Sequence, residues 1–86
     1  NYKLGQNYPN PFNPITNISY TVPQAGAVKL SVFNALGEKV STLVNNVVTS
    51  GTHTAAWDAG NMPSGVYFYR LDAGSFTQTR KLLLIK

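Results

Sequence analysis

Side chains suited to acid–base or nucleophilic chemistry are few in this sequence. They are one histidine and three acids: His53, Glu38, Asp58 and Asp72. The one arrangement that could hydrolyse a bond is a triad of His53, Asp58 and a serine, either Ser50 or Ser64. If the run through Trp57 is a strand, His53 and Asp58 point to opposite faces, because side chains alternate along a strand. We therefore expect a surface histidine and a turn aspartate, and no enzymatic activity.

Metal and cofactor chemistry is similarly restricted. The chain contains no cysteine, which excludes disulfides, thiolate nucleophiles and zinc–thiolate sites. Residues 58–61 (DAGN) are similar to half of a calcium loop, but Ca²⁺ requires six or more oxygen ligands, usually including several carboxylates. Asp58 is the only acid there, so a turn stabilised by bonds from side chain to backbone explains the segment better. We expect no metal and no cofactor.

Aromatic residues offer a second function, because Trp57, Tyr67, Phe68 and Tyr69 could form a platform for sugars. In an alternating strand, however, Tyr67 and Tyr69 share one face with Leu71 and are predicted to lie in the core. Trp57 is predicted to fill the core as well. A carbohydrate-binding module, or a plain spacer of a secreted enzyme, is the alternative function.

The net charge of +4 could indicate a protein that binds nucleic acid. Such a surface requires a basic stripe with several phosphate contacts. Four of the cations are scattered singly along the sequence: Lys3, Lys29, Lys39 and Arg70. We expect no nucleic-acid partner. We also expect no membrane span, since no apolar run approaches the roughly 18–20 residues that a span needs.

Short alternating runs separated by turn residues organise the chain. Turn signals recur about every 8–14 residues, a rhythm typical of antiparallel sandwiches. We predict an all-β, immunoglobulin-like antiparallel β-sandwich of about seven strands, with residues 1–86 forming one domain. The prolines in residues 1–14 predict an extended lead-in. Asn45 and Asn46 are expected to loosen the chain within the third run.

The end of the chain places four apolar residues between two lysines. Two interpretations of residues 82–85 are open. One is a central strand buried on both faces. The other is a strand tip that a partner reads, for example by strand addition.

Four ordered motifs are distributed over nearly the whole length of the chain. They are residues 8–16 (YPNPFNPIT), 32–40 (VFNALGEKV), 64–71 (SGVYFYRL) and 81–86 (KLLLIK). Together they resemble the type A C-terminal sorting domain of the bacterial type IX secretion system. The pattern is also similar to the immunoglobulin-like domain of flagellar hook-capping proteins, but the opening and closing motifs favour the sorting domain.

The resemblance implies that the domain is a sorting signal attached to a cargo protein and that it has no catalytic residues. Such a domain follows an N-terminally fused cargo, which passes through the periplasm and an outer-membrane translocon to the cell surface or medium. A surface sortase then commonly removes the domain. Carried over by position, the recognition residues are Gly65, Tyr67, Lys81, Leu82, Leu83, Leu84, Ile85 and Lys86. Pro9, Asn10 and Pro11 correspond to the start of the domain.

Overall fold

Seven β-strands and no helix make up the computed structural model, which describes residues 1–86. The strands are β1 (Lys3–Leu4), β2 (Ile15–Val22), β3 (Gly26–Asn34), β4 (Lys39–Val48), β5 (Gly51–Asp58), β6 (Gly65–Ala73) and β7 (Phe76–Leu84). They form two antiparallel sheets with the orders β1-β2-β5 and β4-β3-β6-β7. The prediction of an antiparallel β-sandwich of about seven strands is confirmed. No helix is present that could span a membrane.

The core lies between the two sheets and follows from the alternation of apolar residues. Along β6, Tyr67, Tyr69 and Leu71 are buried, while the residues between them face outward. Trp57 is also buried, and its ring meets the edge of Tyr67 at a centroid distance of 5.3 Å. Phe12 of the lead-in packs on the same indole at 5.7 Å. The predicted core positions of Trp57, Tyr67 and Tyr69 are confirmed.

The expectation that Asn45 and Asn46 loosen the chain is wrong. β4 continues through both residues, which pair with Lys29 and Val28 of β3. The irregularities lie elsewhere, at two register shifts opposite Leu30–Ser31 and Val32–Phe33. Both asparagine side chains are exposed on an edge strand, so they leave the backbone ladder intact.

The lead-in is anchored to the middle of the four-stranded sheet by one hydroxyl. Tyr69 Oη donates to the carbonyl of Gly5 at 2.7 Å and accepts the N–H of Asn7 at 2.9 Å. The buried Asn7 side chain donates to Thr16 Oγ1 at 3.0 Å, and Thr16 Oγ1 donates to the carbonyl of Pro9 at 2.8 Å. A connected set of buried polar groups therefore fixes the path of residues 5–9.

Removing the Tyr69 hydroxyl tests this anchor. We expect Tyr69→Phe to lower the free energy of unfolding by about 1–3 kcal/mol, because the variant leaves the buried N–H of Asn7 and the partly buried carbonyl of Gly5 without partners. Urea denaturation provides the measurement. Tyr8→Phe is the matched control, since Tyr8 is 79% exposed and surface changes of this kind stay within about 0.5 kcal/mol. Equal stability of the two variants would contradict the anchoring role.

The same hydroxyl predicts how stability changes at high pH. Burial raises the pKa of Tyr69 above its ordinary value of 10.0. The unfolded chain then loses this proton at a lower pH than the folded chain, so the contribution of Tyr69 is complete below pH 10 and is lost above it. We expect the free energy of unfolding to fall more steeply above pH 10 in the wild-type chain than in Tyr69→Phe. Burial also raises the pKa of Tyr20, but that residue is common to both proteins. Parallel pH curves would refute the prediction.

Candidate functional site

The residues considered for hydrolysis do not form a site. His53 stacks on the ring of Tyr20 at 5.4 Å, and its Nε2 donates to the carbonyl of Thr49 at 2.7 Å. Asp58 Oδ1 accepts the N–H of Gly60 at 2.9 Å, which confirms the predicted turn interaction. No three His, Cys, Asp or Glu side chains come together in the chain. The structure does not assemble the side chains of a triad or a calcium loop.

A carbohydrate platform is likewise not favoured by the structure. Trp57 and Tyr67 are buried, and Phe68 is half-buried on the outer face of its sheet. Tyr8 is the one aromatic residue with a largely exposed ring, and it has no aromatic neighbour. Exposed coplanar rings, the arrangement that sugar binding requires, are therefore missing.

The motifs at the two ends of the chain form one structural unit. β7 is an edge strand, so the interpretation of residues 82–85 as a central strand is wrong. Its outer edge is covered by the lead-in: Phe12 N–H donates to the Leu83 carbonyl at 3.0 Å, and Ile85 N–H donates to the Phe12 carbonyl at 2.9 Å. Asn10 Oδ1 accepts the N–H of Leu83 at 3.1 Å. The domain-start motif thus provides backbone partners for the terminal strand.

Further contacts hold the terminal strand along its length. Arg80 Nε donates to the carbonyl of Leu4 at 2.7 Å, and Gln6 Nε2 donates to the carbonyl of Lys81 at 3.1 Å. Beyond the strand, Lys86 Nζ donates to the carbonyl of Gly60 at 2.8 Å. The strand is therefore presented in a defined position on the folded domain.

The recognition residues expected from the sequence divide into two groups. Leu82, Leu84 and Tyr67 are buried, with Tyr67 Oη donating to the Pro63 carbonyl at 2.6 Å. Register places Leu84 opposite Gly65, whose φ of +149° is unfavourable for other residues. This group shapes the site without reaching solvent through its side chains.

The second group faces solvent, and we call it the terminal row: Lys81, Leu83, Ile85 and Lys86. Leu83 is 38% exposed and Ile85 is 49% exposed. Pro9, Asn10 and Pro11 are exposed beside the row. One further residue escaped the sequence analysis: Val66, which lines a shallow depression of about 140 Å³ with Asn10, Lys81, Leu82 and Leu83. The sequence could have indicated Val66, because it lies between two inward-facing residues of an alternating strand and must therefore face outward.

Strand addition at the tip of β7 is blocked while the lead-in is in place. The outward backbone groups of Leu83 and Ile85 are already bonded to Asn10 and Phe12. A partner of the tip must therefore bind its side chains, or displace the lead-in.

The contact between Asn10 and Leu83 can be tested directly. We expect Asn10→Ala to increase amide hydrogen exchange at Leu83 by roughly two- to ten-fold, the equivalent of one hydrogen bond of about 0.5–1.5 kcal/mol. Asn13→Ala is the matched control, because Asn13 is an exposed asparagine of the same segment. An equal increase in the two variants, or none in Asn10→Ala, would show that Asn10 does not hold the strand.

Comparison with known families identifies the family of this domain. Residues 6–86 match the family described as the secretion system C-terminal sorting domain, so the match includes the lead-in motif and the terminal strand. The chain matches no curated protein. Members of this family act as sorting signals for type IX secretion, and their cargo ends at the cell surface or outside the cell. The chain therefore belongs to the family of secretion system C-terminal sorting domains and is a C-terminal sorting signal for type IX secretion.

Proposed function

We propose that the secretion machinery recognises the terminal row by binding the exposed side chains of Lys81, Leu83, Ile85 and Lys86. The observation that carries this proposal is their presentation: the opposite face of the strand is in the core, and the lead-in holds its edge. A partner therefore meets side chains carried by a backbone that is fixed before binding, which lowers the entropy cost of the interaction.

The side chains of the terminal row indicate what kind of surface a partner must present. Two ammonium groups flank two exposed apolar side chains, and Val66 on the neighbouring strand adds a third apolar group at the same depression. An apolar patch bordered by carboxylates on the outer-membrane translocon is complementary to this arrangement.

The buried recognition residues determine the positions of the exposed side chains in the terminal row. Leu82 and Leu84 occupy the core, and this forces Leu83 and Ile85 outward. Tyr67 lies opposite Leu82 on the buried face of the neighbouring strand β6, which begins at Gly65. Pro9, Asn10 and Pro11 belong to the segment that covers the strand's edge.

The remaining steps of secretion are those expected of a C-terminal sorting signal. The domain travels behind an N-terminally fused cargo, reaches the periplasm, and engages the outer-membrane translocon as a folded unit. A surface sortase then removes it. The domain itself is a substrate in this process and performs no catalysis, and it needs no cofactor.

Export of a reporter fused to residues 1–86 tests the proposal in a bacterium with this secretion system. We expect Leu83→Ser/Ile85→Ser to lower surface delivery by at least about ten-fold, because burying each side chain against a partner is worth about 1.5–3 kcal/mol. The measurement is surface-exposed reporter per cell. Its mass reports whether residues 1–86 have been removed.

Leu36→Ser/Val47→Ser provides the matched control, since both residues are exposed and lie outside the terminal row. The thermal unfolding of each domain is compared first, so that misfolding is not mistaken for lost recognition. If the Leu83/Ile85 double variant is folded and exported as well as the control, the terminal row is not the recognition element.

A further inference from the structure

The outer face of the four-stranded sheet collects cations that lie far apart in the sequence. Lys29 of β3, Lys39 of β4 and Arg70 of β6 lie on this face together, although they are isolated from one another in the sequence. The register places Lys39 opposite Phe33, four residues along β3 from Lys29, and the proximity of Lys29 lowers the pKa of Lys39. Like charges held this close favour an anion between them.

The acids nearby are already engaged. Asp72 accepts a hydrogen bond from Arg70 Nε at 3.0 Å and another from Thr77 Oγ1 at 3.0 Å. Glu38 lies in the turn before β4, where its Oε1 accepts from Asn34 Nδ2 at 2.8 Å. Asp72 lies opposite Lys29 in the register, but its ion pair is with Arg70, and neither Lys29 nor Lys39 forms an ion pair.

Ser31 adds an independent observation at the same place. Alternation along β3 directs its side chain to the outer face, because Leu30 and Val32 face the core. Ser31 is nevertheless fully buried, and its Oγ has no hydrogen-bond partner. Buried hydroxyls nearly always have a partner. Its position opposite Arg70 in the register puts this free hydroxyl beneath the cation cluster.

An apolar element borders the cations. Phe33 and Phe68 are direct cross-strand partners, and the guanidinium of Arg70 lies 4.9 Å from the centre of the Phe33 ring. Phe33, Phe68 and Arg70 line a shallow depression of about 250 Å³ together with Gly37 and Thr79. The depression is concave and open, so it can accept one apolar side chain from a partner.

We propose that this face binds an acidic peptide segment of a protein partner. Its carboxylates lie between Lys29, Lys39 and Arg70, and one of its apolar side chains fills the depression beside Phe33 and Phe68. This surface adjoins the terminal row, since Phe68 lies opposite Lys81 in the register, but the two surfaces share no residue.

The apolar features distinguish a peptide from other anions. Phenylalanine rings lack the hydrogen-bonding groups that help bind an acidic sugar. A lipid surface requires protruding anchors, whereas both rings are half-buried and border a hollow. A nucleic acid would engage a longer basic stripe than three cations provide.

Fluorescence anisotropy with the 86-residue chain tests the proposal. The probe is a short labelled peptide of glutamates around one central phenylalanine. We expect binding that weakens as salt is raised, and weaker binding of the peptide that carries alanine at its centre. Lys29→Gln and Lys39→Gln should each raise the Kd by roughly two- to five-fold, the range of an exposed ion pair.

Lys3→Gln is the control, because it removes the same charge from an exposed position on the other sheet and should leave the Kd unchanged. Leu83→Ser/Ile85→Ser should also leave it unchanged, which separates this surface from the terminal row. The salt series and the alanine peptide use the unmodified chain, so the test does not depend on the variants folding. Absence of peptide binding, or an equal loss in Lys3→Gln, would overturn the proposal. Tighter binding to oligothymidylate, an acidic oligosaccharide or phosphatidylglycerol vesicles would do the same.

Discussion

The closure of the β7 edge by the lead-in is the constraint on which the arrangement of the domain depends. An edge strand with alternating apolar residues is prone to pair with other chains. Here residues 10–12 satisfy its outward backbone groups near the tip, and Phe12 extends the core by packing on Trp57. Tyr69 in turn fixes the path of the lead-in through Gly5 and Asn7. The two ends of the chain therefore depend on each other for their positions.

This dependence explains how a small domain with only shallow surface depressions serves as a signal. Burial of Leu82 and Leu84 directs Leu83 and Ile85 to solvent, so stability and presentation arise from the same alternation. Under the proposed recognition of the terminal row, a substitution at a buried position alters the shape of the row, whereas one at an exposed position alters the contact with the partner. The two kinds of residue within one short motif have different physical roles.

Much of the fold could be predicted from the sequence because burial has a period of two in strands. That period identified the strands and the core positions of Trp57, Tyr67 and Tyr69. It could not identify which strands are neighbours, since alternation reports the buried face of a strand and not its partner. The contact between Asn10 and Leu83 was missed for this reason, and the choice between a central strand and a strand tip for residues 82–85 stayed open. The same limit hid the clustering of Lys29 and Lys39, which depends on the pairing of β3 with β4.

The order of the strands along the chain also has a consequence for protein synthesis. The lead-in is made first, but its partner β7 is made after all the other strands. A nascent chain interrupted before Phe76 lacks the strand that its lead-in covers, and it also lacks Leu82 and Leu84 from its core. Such a chain lacks one strand of the four-stranded sheet and the whole terminal row. Under the proposed recognition of the terminal row, export therefore requires completed translation of the domain.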